Sequence, residues 1–443
     1  MTFMSVRRVA SAGLVAAATV AAFAVPSSAS AALPGHCKGT STEGAGSSLQ
    51  AEAQAIWDPG FSTNKTAGCV SGPTIKYKSI GSGAGYKEWS EKHNFGTIGF
   101  VGTDNTVNLS EKETVEKDVE PGKSSEVLTL PVLQGSVAIV VNLPENCTAT
   151  SKAASGRLGL NQSTLEGIYK GSITNWTELN AVEGAGNVLT GAGCSTAIIP
   201  VVRKDSSGTT HIFKKFLNLT DKAALLSEDG KEHTWSELGE GSLSKTWPSA
   251  AKVVHAEEET GPGLLKYVAG HPGTIGYANL ADARNTANGG FTGQSASRFW
   301  VVLESSKKEK TTSKGVKITR KYEDPSKDKD TLAASEANCK DTEFSNEGGT
   351  FPPPTVDSPW NEVTAKAESK TYALCGLTYD LVLTDYEAYA GGTAAEAQTV
   401  IDFENYVLSS KGGAKEISKV HDYAPLPKGL APESIKGLEK IEG

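Results

Sequence analysis

The chain predicts an α/β fold in two lobes. Three observations carry that expectation. About 410 residues remain after an N-terminal export segment, more than one hydrophobic core usually holds. Short apolar strands end in polar glycine turns and run on into helical patterns, at Gly44–Leu49, at Thr74–Gly85 and at Val201–Phe213. Between them lies the run Val137-Ala138-Ile139-Val140-Val141, nearly all apolar and suited to the buried centre of a sheet.

In chain order, residues 1–31 have the makeup of a secretory signal. Arg7 and Arg8 precede an Ala/Val-rich run from Val9 to Val25, and Ala29-Ser30-Ala31 offers a small-residue cleavage site. Val9-Ala10 makes a poor twin-arginine match, and Pro34-Gly35-His36 is the wrong lead-in for a lipid tether at Cys37. The chain is therefore expected to be exported, in the periplasm or outside the cell, without a clear lipobox. Next, Gly44-Ala45-Gly46-Ser47-Ser48 leads into a helix with Leu49, Ala53, Ile56 and Trp57 on one face. Thr74–Ile80 ends in Gly81-Ser82-Gly83-Ala84-Gly85, with a helix opening over Tyr86–Trp89. Ser163-Thr164-Leu165-Glu166 predicts a capping box for a short helix ending near Gly171. Residues 304–370, with Lys307-Lys308-Glu309-Lys310, a charged run around Asp324–Asp330 and Pro352-Pro353-Pro354, predict a solvated surface insertion, the lysine run as a loop, with Cys339 pinning its far end. Glu396–Leu408 has helical spacing.

Six cysteines in an exported chain fit disulfides better than metal ligation, because Cys-x-x-Cys pairs and His-rich clusters are missing. Fifteen connectivities are open; the nearest-neighbour set, 37 with 69, 147 with 194 and 339 with 375, keeps each bridge within one lobe. A formal net charge of −8, more acidic still without Arg7 and Arg8, argues against nucleic acid as a partner. It does not argue against a small anion in a closed site with local donors, since salt screens distant surface charge.

The segment Val201–Phe213 is the most informative. Ile212, Phe213, Phe216 and Leu217 recur at helical spacing, so Ser207, Gly208 and Thr209 fall at a helix start, where unpaired N–H groups and the helix dipole favour an anion. Arg203 can add a bidentate fork and Asp205 can orient it. Taken singly, Gly-Ser turns before helices are ordinary caps and Asp205 beside Arg203 an ordinary ion pair. His211 is expected to be structural or solvent-exposed, and Trp89, Trp176 and Trp247 to pack in the core or at a lobe edge.

The order of these segments resembles the phosphate-binding proteins of high-affinity phosphate ABC transporters, within the type II periplasmic binding proteins. The resemblance covers roughly 42–300 and 371–430. It rests on Gly44–Leu49, Tyr77–Gly85, Gly102-Thr103-Asp104, Leu130-Pro131-Val132, Ile168–Trp176, Arg203 with Ser207-Gly208-Thr209, Pro272–Tyr277 and Asp422–Pro427. It implies a two-lobed type II periplasmic-binding-protein fold with a two-strand hinge. Lobe I would be 38–131 plus 376–443, and lobe II 132–375 with the insertion 304–370.

By motif match the resemblance also implies the ligand set. Ser48 stands where the family usually has threonine, and Leu49 where a phenylalanine commonly gives its backbone N–H. Ser82 matches the serine of the glycine-rich turn, and Asp104 the acceptor for a protonated phosphate oxygen. Arg203, Ser207, Gly208 and Thr209 match the donors of the second lobe, with Asp205 steering the arginine. The implied protein is a monomeric receptor that carries inorganic phosphate to membrane permease subunits and needs neither metal nor cofactor. The chemistry of Asp104 agrees: a carboxylate facing an anion is repulsive unless the anion brings a proton, as hydrogen phosphate does and sulfate does not. Other readings stand beside it: an exported phosphatase using Ser82 or Ser207, an interaction protein acting through 304–370, or a receptor for another oxyanion.

Overall fold

A computed structural model describes residues 36–107, 109–154, 157–220, 225–226, 232–235, 245–248, 255–291, 297–313, 315–327, 336–339, 344–345, 352–354, 360, 363–366, 368–418, 422–427 and 429–442. The expected signal segment, 1–31, lies outside the described residues.

The first strands are β1 (Thr42–Gly46), β2 (Ile75–Ser79), β3 (Ile98–Thr103) and β4 (Val127–Asn142). Further on come β5 (Ile199–Arg203), β6 (Ala256–Glu258), β7 (Thr274–Asn279), β8 (Val302–Thr312), β9 (Gly315–Glu323) and β10 (Cys375–Leu383). The helices that matter here are α1 (Ala51–Thr63), α2 (Ser82–Ser90), α3 (Gln162–Lys170), α4 (Gly208–Thr220), α5 (Gly261–Gly270), α6 (Leu280–Arg284) and α7 (Ala394–Leu408). Among the described residues the main sheet runs β6-β5-β7-β4-β10-β3-β1-β2.

β4 organises that sheet. All sixteen of its residues are buried, which its apolar sequence allows. From Val127 to Ser136 it pairs antiparallel with β10; from Val137 to Asn142 it pairs antiparallel with β7. One strand thus serves two half-sheets. On one side β10, β3, β1 and β2 follow, with β1 parallel to both β2 and β3; on the other β7 continues parallel into β5 and β6. Parallel strands need crossover helices, and α1, α2 and α5 supply them.

The three disulfides are the nearest-neighbour set, Cys37–Cys69, Cys147–Cys194 and Cys339–Cys375. Trp89, Trp176 and Trp247 are buried in the core. The C-terminal periodicity is realised in α7.

Four local expectations change. Gly44–Gly46 belong to β1, and α1 begins at Ala51, so Leu49 packs from the turn and not from the helix. Likewise Ser82–Gly85 are already the first turn of α2, because Gly81, at φ +93°, makes the reversal alone. α3 does end at a left-handed Gly171, but it starts after Asn161 and Ser163 lies inside it. The capping box forms instead at Asn175–Glu178, where both reciprocal bonds exist. Finally, the lysine run is not a loop: β8 and β9 form a long antiparallel ribbon. Its solvent exposure is as expected, but cross-strand pairing, invisible to a local scan, makes it extended.

Candidate ligand cleft

The predicted ligand residues lie at or just after the C-terminal ends of parallel strands, where open α/β sheets bind ligands. Ser47–Leu49 follow β1, Ser82 follows β2, Asp104 follows β3, and Asp205–Thr209 follow β5. The two groups of loops meet face to face. Ser48, Leu49, Ser82, Asp104, Arg203, Ser207 and Thr209 are each 3 % exposed or less.

Asp104 is the centre. Its Oδ1 accepts from the Ser47 hydroxyl and from Thr378 Oγ1 (3.1 Å), and its Oδ2 accepts from Thr209 Oγ1 (3.1 Å). The Asp104 backbone N–H donates to Ser82 Oγ (3.3 Å). Burial pushes its carboxyl above the ordinary range, while the Ser47, Thr378 and Thr209 hydroxyls and the Arg203 charge oppose that rise. Across the cleft, a Cβ on Gly208 would come within 2.6 Å of Asp104 Cβ and 2.8 Å of Ser82 Oγ, so only glycine lets the α4 N-terminus approach this closely.

Arg203 is oriented as expected. Its Nε donates to Asp205 Oδ1 (2.5 Å) and Nη2 to Asp205 Oδ2, which leaves the Nη1 edge for a ligand. Tyr277 supports the same loop: its hydroxyl accepts from the Arg203 N–H (3.2 Å) and shares a bond with Thr210 Oγ1 (2.7 Å). The Ser207 hydroxyl accepts from the Thr210 N–H (3.2 Å), so it caps α4. Ser48 Oγ accepts from the Gly261 N–H (3.4 Å), and the Leu49 N–H donates to Ser47 Oγ (3.0 Å). His211 is buried on α4, as a structural histidine is expected to be.

Several residues in this cluster escaped the sequence reading. Ser47 sat unremarked in a quoted turn, and Thr378 carries no local signal. α5 adds another helix N-terminus beside Ser48; Thr260 caps it, with its side chain accepting from the Gly263 N–H (3.2 Å), and Pro262 stands in its first turn. That threonine-then-proline start was readable. Thr260 has φ +58°, costly for a β-branched residue, and its N–H reaches Asp205 Oδ1 (3.3 Å).

Asp282 on α6 is the least expected. It is 2 % exposed and its Oδ2 has no hydrogen-bond partner among the described residues. A Cβ on Gly261 would lie 2.9 Å from that oxygen and 3.5 Å from Ser48 Oγ, which fixes Asp282 at the cleft wall. Burial, then the Glu52 charge, holds its carboxyl well above the usual range. Beneath Asp104, Gln50 Nε2 bridges Thr378 Oγ1 (2.8 Å) and Asp380 Oδ1 (3.0 Å). Burial raises Asp380 to about 7 and pushes neighbouring Glu404 well above the usual carboxylate range.

Three contacts tie the half-sheets together next to the cleft. Asn279 Nδ2 donates to Leu49 O (3.0 Å), Asn285 Nδ2 to Glu52 Oε1 (2.8 Å), and Arg284 grips Asp422 through Nε (2.6 Å) and Nη2 (3.0 Å). The His36, Cys37, Cys69 and Asp402 cluster has metal-like composition, but its two sulfurs are bonded to each other.

Residues 27–345 match the PBP superfamily domain. Among curated relatives, phosphate-binding protein PstS3 of Mycobacterium bovis is 31% identical over 232 residues, 52% of this chain and 54% of that protein. Phosphate-binding protein PstS of Xylella fastidiosa is 27% identical over 264 residues, 60% of each chain. The chain thus spans about half to three-fifths of the length of these relatives. A phosphate-binding protein from Stenotrophomonas maltophilia superimposes with a TM-score of 0.58 at 18% identity, over 90% of this chain and 93% of that one. A high-affinity periplasmic phosphate-binding protein, PfluDING, solved with phosphate, gives 0.54 at 20% identity, over 89% and 92%. These likenesses carry the two-lobed architecture across nearly the whole described chain. The chain belongs to the PBP superfamily, with the two-lobed type II fold.

Proposed function

We propose that this protein is an exported receptor that binds inorganic phosphate in the cleft and delivers it to the permease subunits of an ABC transporter. The observation that carries this is Asp104, a buried acceptor set among hydroxyls opposite the α4 N-terminus and Arg203. Such a site demands an anion that is both strongly charged and still protonated. Ser48, Leu49 and Ser82 approach it from one side, and Arg203, Ser207, Gly208 and Thr209 from the other, with Asp205 positioning the arginine. The phosphate-binding names of the relatives support the same reading.

Lobe I comprises about 38–131 plus 376–443, and lobe II 132–375. The change of partner along β4 at Ser136/Val137, opposite Cys375, supports a hinge of two strands there. Phosphate held by both lobes favours the closed form, which a permease can recognise. The protein acts as a monomer, without nucleic acid, metal or cofactor. Turnover is disfavoured, since the Ser82 hydroxyl is engaged by the Asp104 N–H and the Ser207 hydroxyl by the Thr210 N–H. Titration calorimetry of the phosphate-stripped mature protein with phosphate and with sulfate tests the proposal. One-to-one phosphate binding without a sulfate signal is expected; silence with phosphate from a folded, stripped sample overturns it.

A further inference from the structure

Asp282 has no place in the proposed ligand set, and its surroundings are unusual. It stands on α6, 2 % exposed, with Oδ2 lacking a hydrogen-bond partner among the described residues. A buried oxygen left unpaired costs free energy, so an apolar residue would fit this wall better if packing were all that mattered.

The two lobes surround Asp282 with opposite electrostatics. Lobe II supplies groups that favour an anion. Gly261 opens α5, and a Cβ there would lie 2.9 Å from Asp282 Oδ2, so the carboxyl sits against the positive end of that helix. Arg203, also of lobe II, pulls in the same direction. Lobe I supplies groups that oppose an anion: Glu52 on α1 and Asp104 after β3 both push the carboxyl up. The nearby Tyr423 hydroxyl is committed to Leu49 O (2.7 Å), and Arg284, the other charge at this end of α6, to Asp422 (2.6 Å).

The joint between the lobes closes directly over this carboxyl. Asn285, next after α6, donates to Glu52 Oε1 (2.8 Å), and the Gly261 N–H donates to Ser48 Oγ (3.4 Å). Both bonds cross from lobe II to lobe I. Opening breaks them, withdraws Glu52, Asp104 and Ser48, and leaves Asp282 in water beside Arg203 and the α5 N-terminus.

We propose that Asp282 couples lobe closure to proton uptake: it is an anion in the open form and takes a proton from solvent as the lobes close on phosphate. The inference rests on the two-lobed phosphate receptor proposed above, and it makes Asp282 a residue that sets affinity through closure. Burial, then Glu52, holds the carboxyl well above the usual range in the closed form. Closure is therefore unopposed by Asp282 below the usual carboxylate value of about 4, and becomes costlier as pH rises from there towards the closed-form value.

The test is calorimetric titration of the stripped mature protein with phosphate at about pH 5.5 and about pH 7.5. Wild type and Asp282→Asn are each measured in two buffers of unlike ionisation enthalpy. Asparagine keeps the size and stays neutral, so closure of the variant needs no proton there. The dissociation constant of the wild type relative to the variant is expected to rise at least about tenfold between the two pH values, about a hundredfold being the limit for one proton. Titration of phosphate and of Asp104 is common to both proteins and leaves that ratio alone. The buffer pair should also show less proton uptake by the variant. Glu52→Gln keeps an acceptor for Asn285, removes the opposing charge and is expected to flatten the profile in part, which keeps the inference testable if Asp282→Asn folds poorly. Parallel pH profiles with equal proton uptake overturn the inference and leave phosphate binding standing. Silence of the folded wild type with phosphate overturns the receptor reading, and this inference with it.

Discussion

Replacing Asp104 by asparagine keeps the volume and removes one acceptor and its charge. The network around it tolerates the change, because hydroxyls rotate. Thr209, which donates to Oδ2 at 3.1 Å, can accept from the new Nδ2, while Ser47 and Thr378 keep Oδ1. What is lost is the acceptor for the ligand's proton. A hydrogen bond to a charged partner contributes about 1.5 to 3 kcal/mol, so phosphate affinity is expected to fall roughly 10- to 150-fold. For sulfate the sign reverses, since a repulsive pair of acceptors becomes a donor facing an oxygen, and affinity rises. Calorimetry of the stripped variant with both anions at neutral pH gives the ratio of the two dissociation constants. General loosening weakens both anions and leaves that ratio alone. An unchanged ratio refutes the role assigned to Asp104, whatever happens to phosphate by itself.

Gly208→Ala places a methyl group within 2.6 Å of Asp104 Cβ across the cleft. Overpacking of this kind costs about 1 to 3 kcal/mol; because opening relieves it, phosphate binding should weaken roughly 5- to 150-fold while the ligand-free melting temperature hardly moves, and a matching loss of ligand-free stability would contradict a clash confined to closure. Acidification should stabilise the protein. Asp58 is raised to about 6, and Glu396 and Asp380 to about 7, all by burial. An acid whose folded pKa exceeds its unfolded one contributes stability present below about 4 and lost as pH climbs through 6 to 7. Melting temperature is therefore expected to rise from pH 8 to pH 5, with Glu396, held by Thr42 Oγ1 at 2.7 Å, contributing roughly 2 to 3 kcal/mol. Glu396→Gln flattens that profile; a wild-type profile that falls steadily on acidification counts against it.

The parts of this protein that the sequence disclosed are those governed by near neighbours. Ser207-Gly208-Thr209 starts a helix because an amphipathic run follows at once, and α4 begins at Gly208. The disulfides follow the shortest loops. What stayed hidden depends on distant partners. Thr378 lies on β10, and only its register with β4 and β3 turns its hydroxyl to Asp104, 274 residues away. Asp282 resembles any acid in the first turn of a helix until α5 and Glu52 close over it. Lys307–Lys310 carry loop-like composition, and only the partner strand β9 holds them extended.

The proposed cleft meets negative charge with local, enclosed groups. In the cleft, Asp205 holds one edge of the Arg203 guanidinium, burial raises the Asp282 carboxyl, and Asp104 faces inward. The proposed anion meets the other Arg203 edge, helix N-termini, backbone N–H groups and hydroxyls, buried groups that salt screens little. Rising ionic strength should thus leave phosphate binding nearly unchanged. An acidic chain can hold an anion where the groups that hold it are local and enclosed.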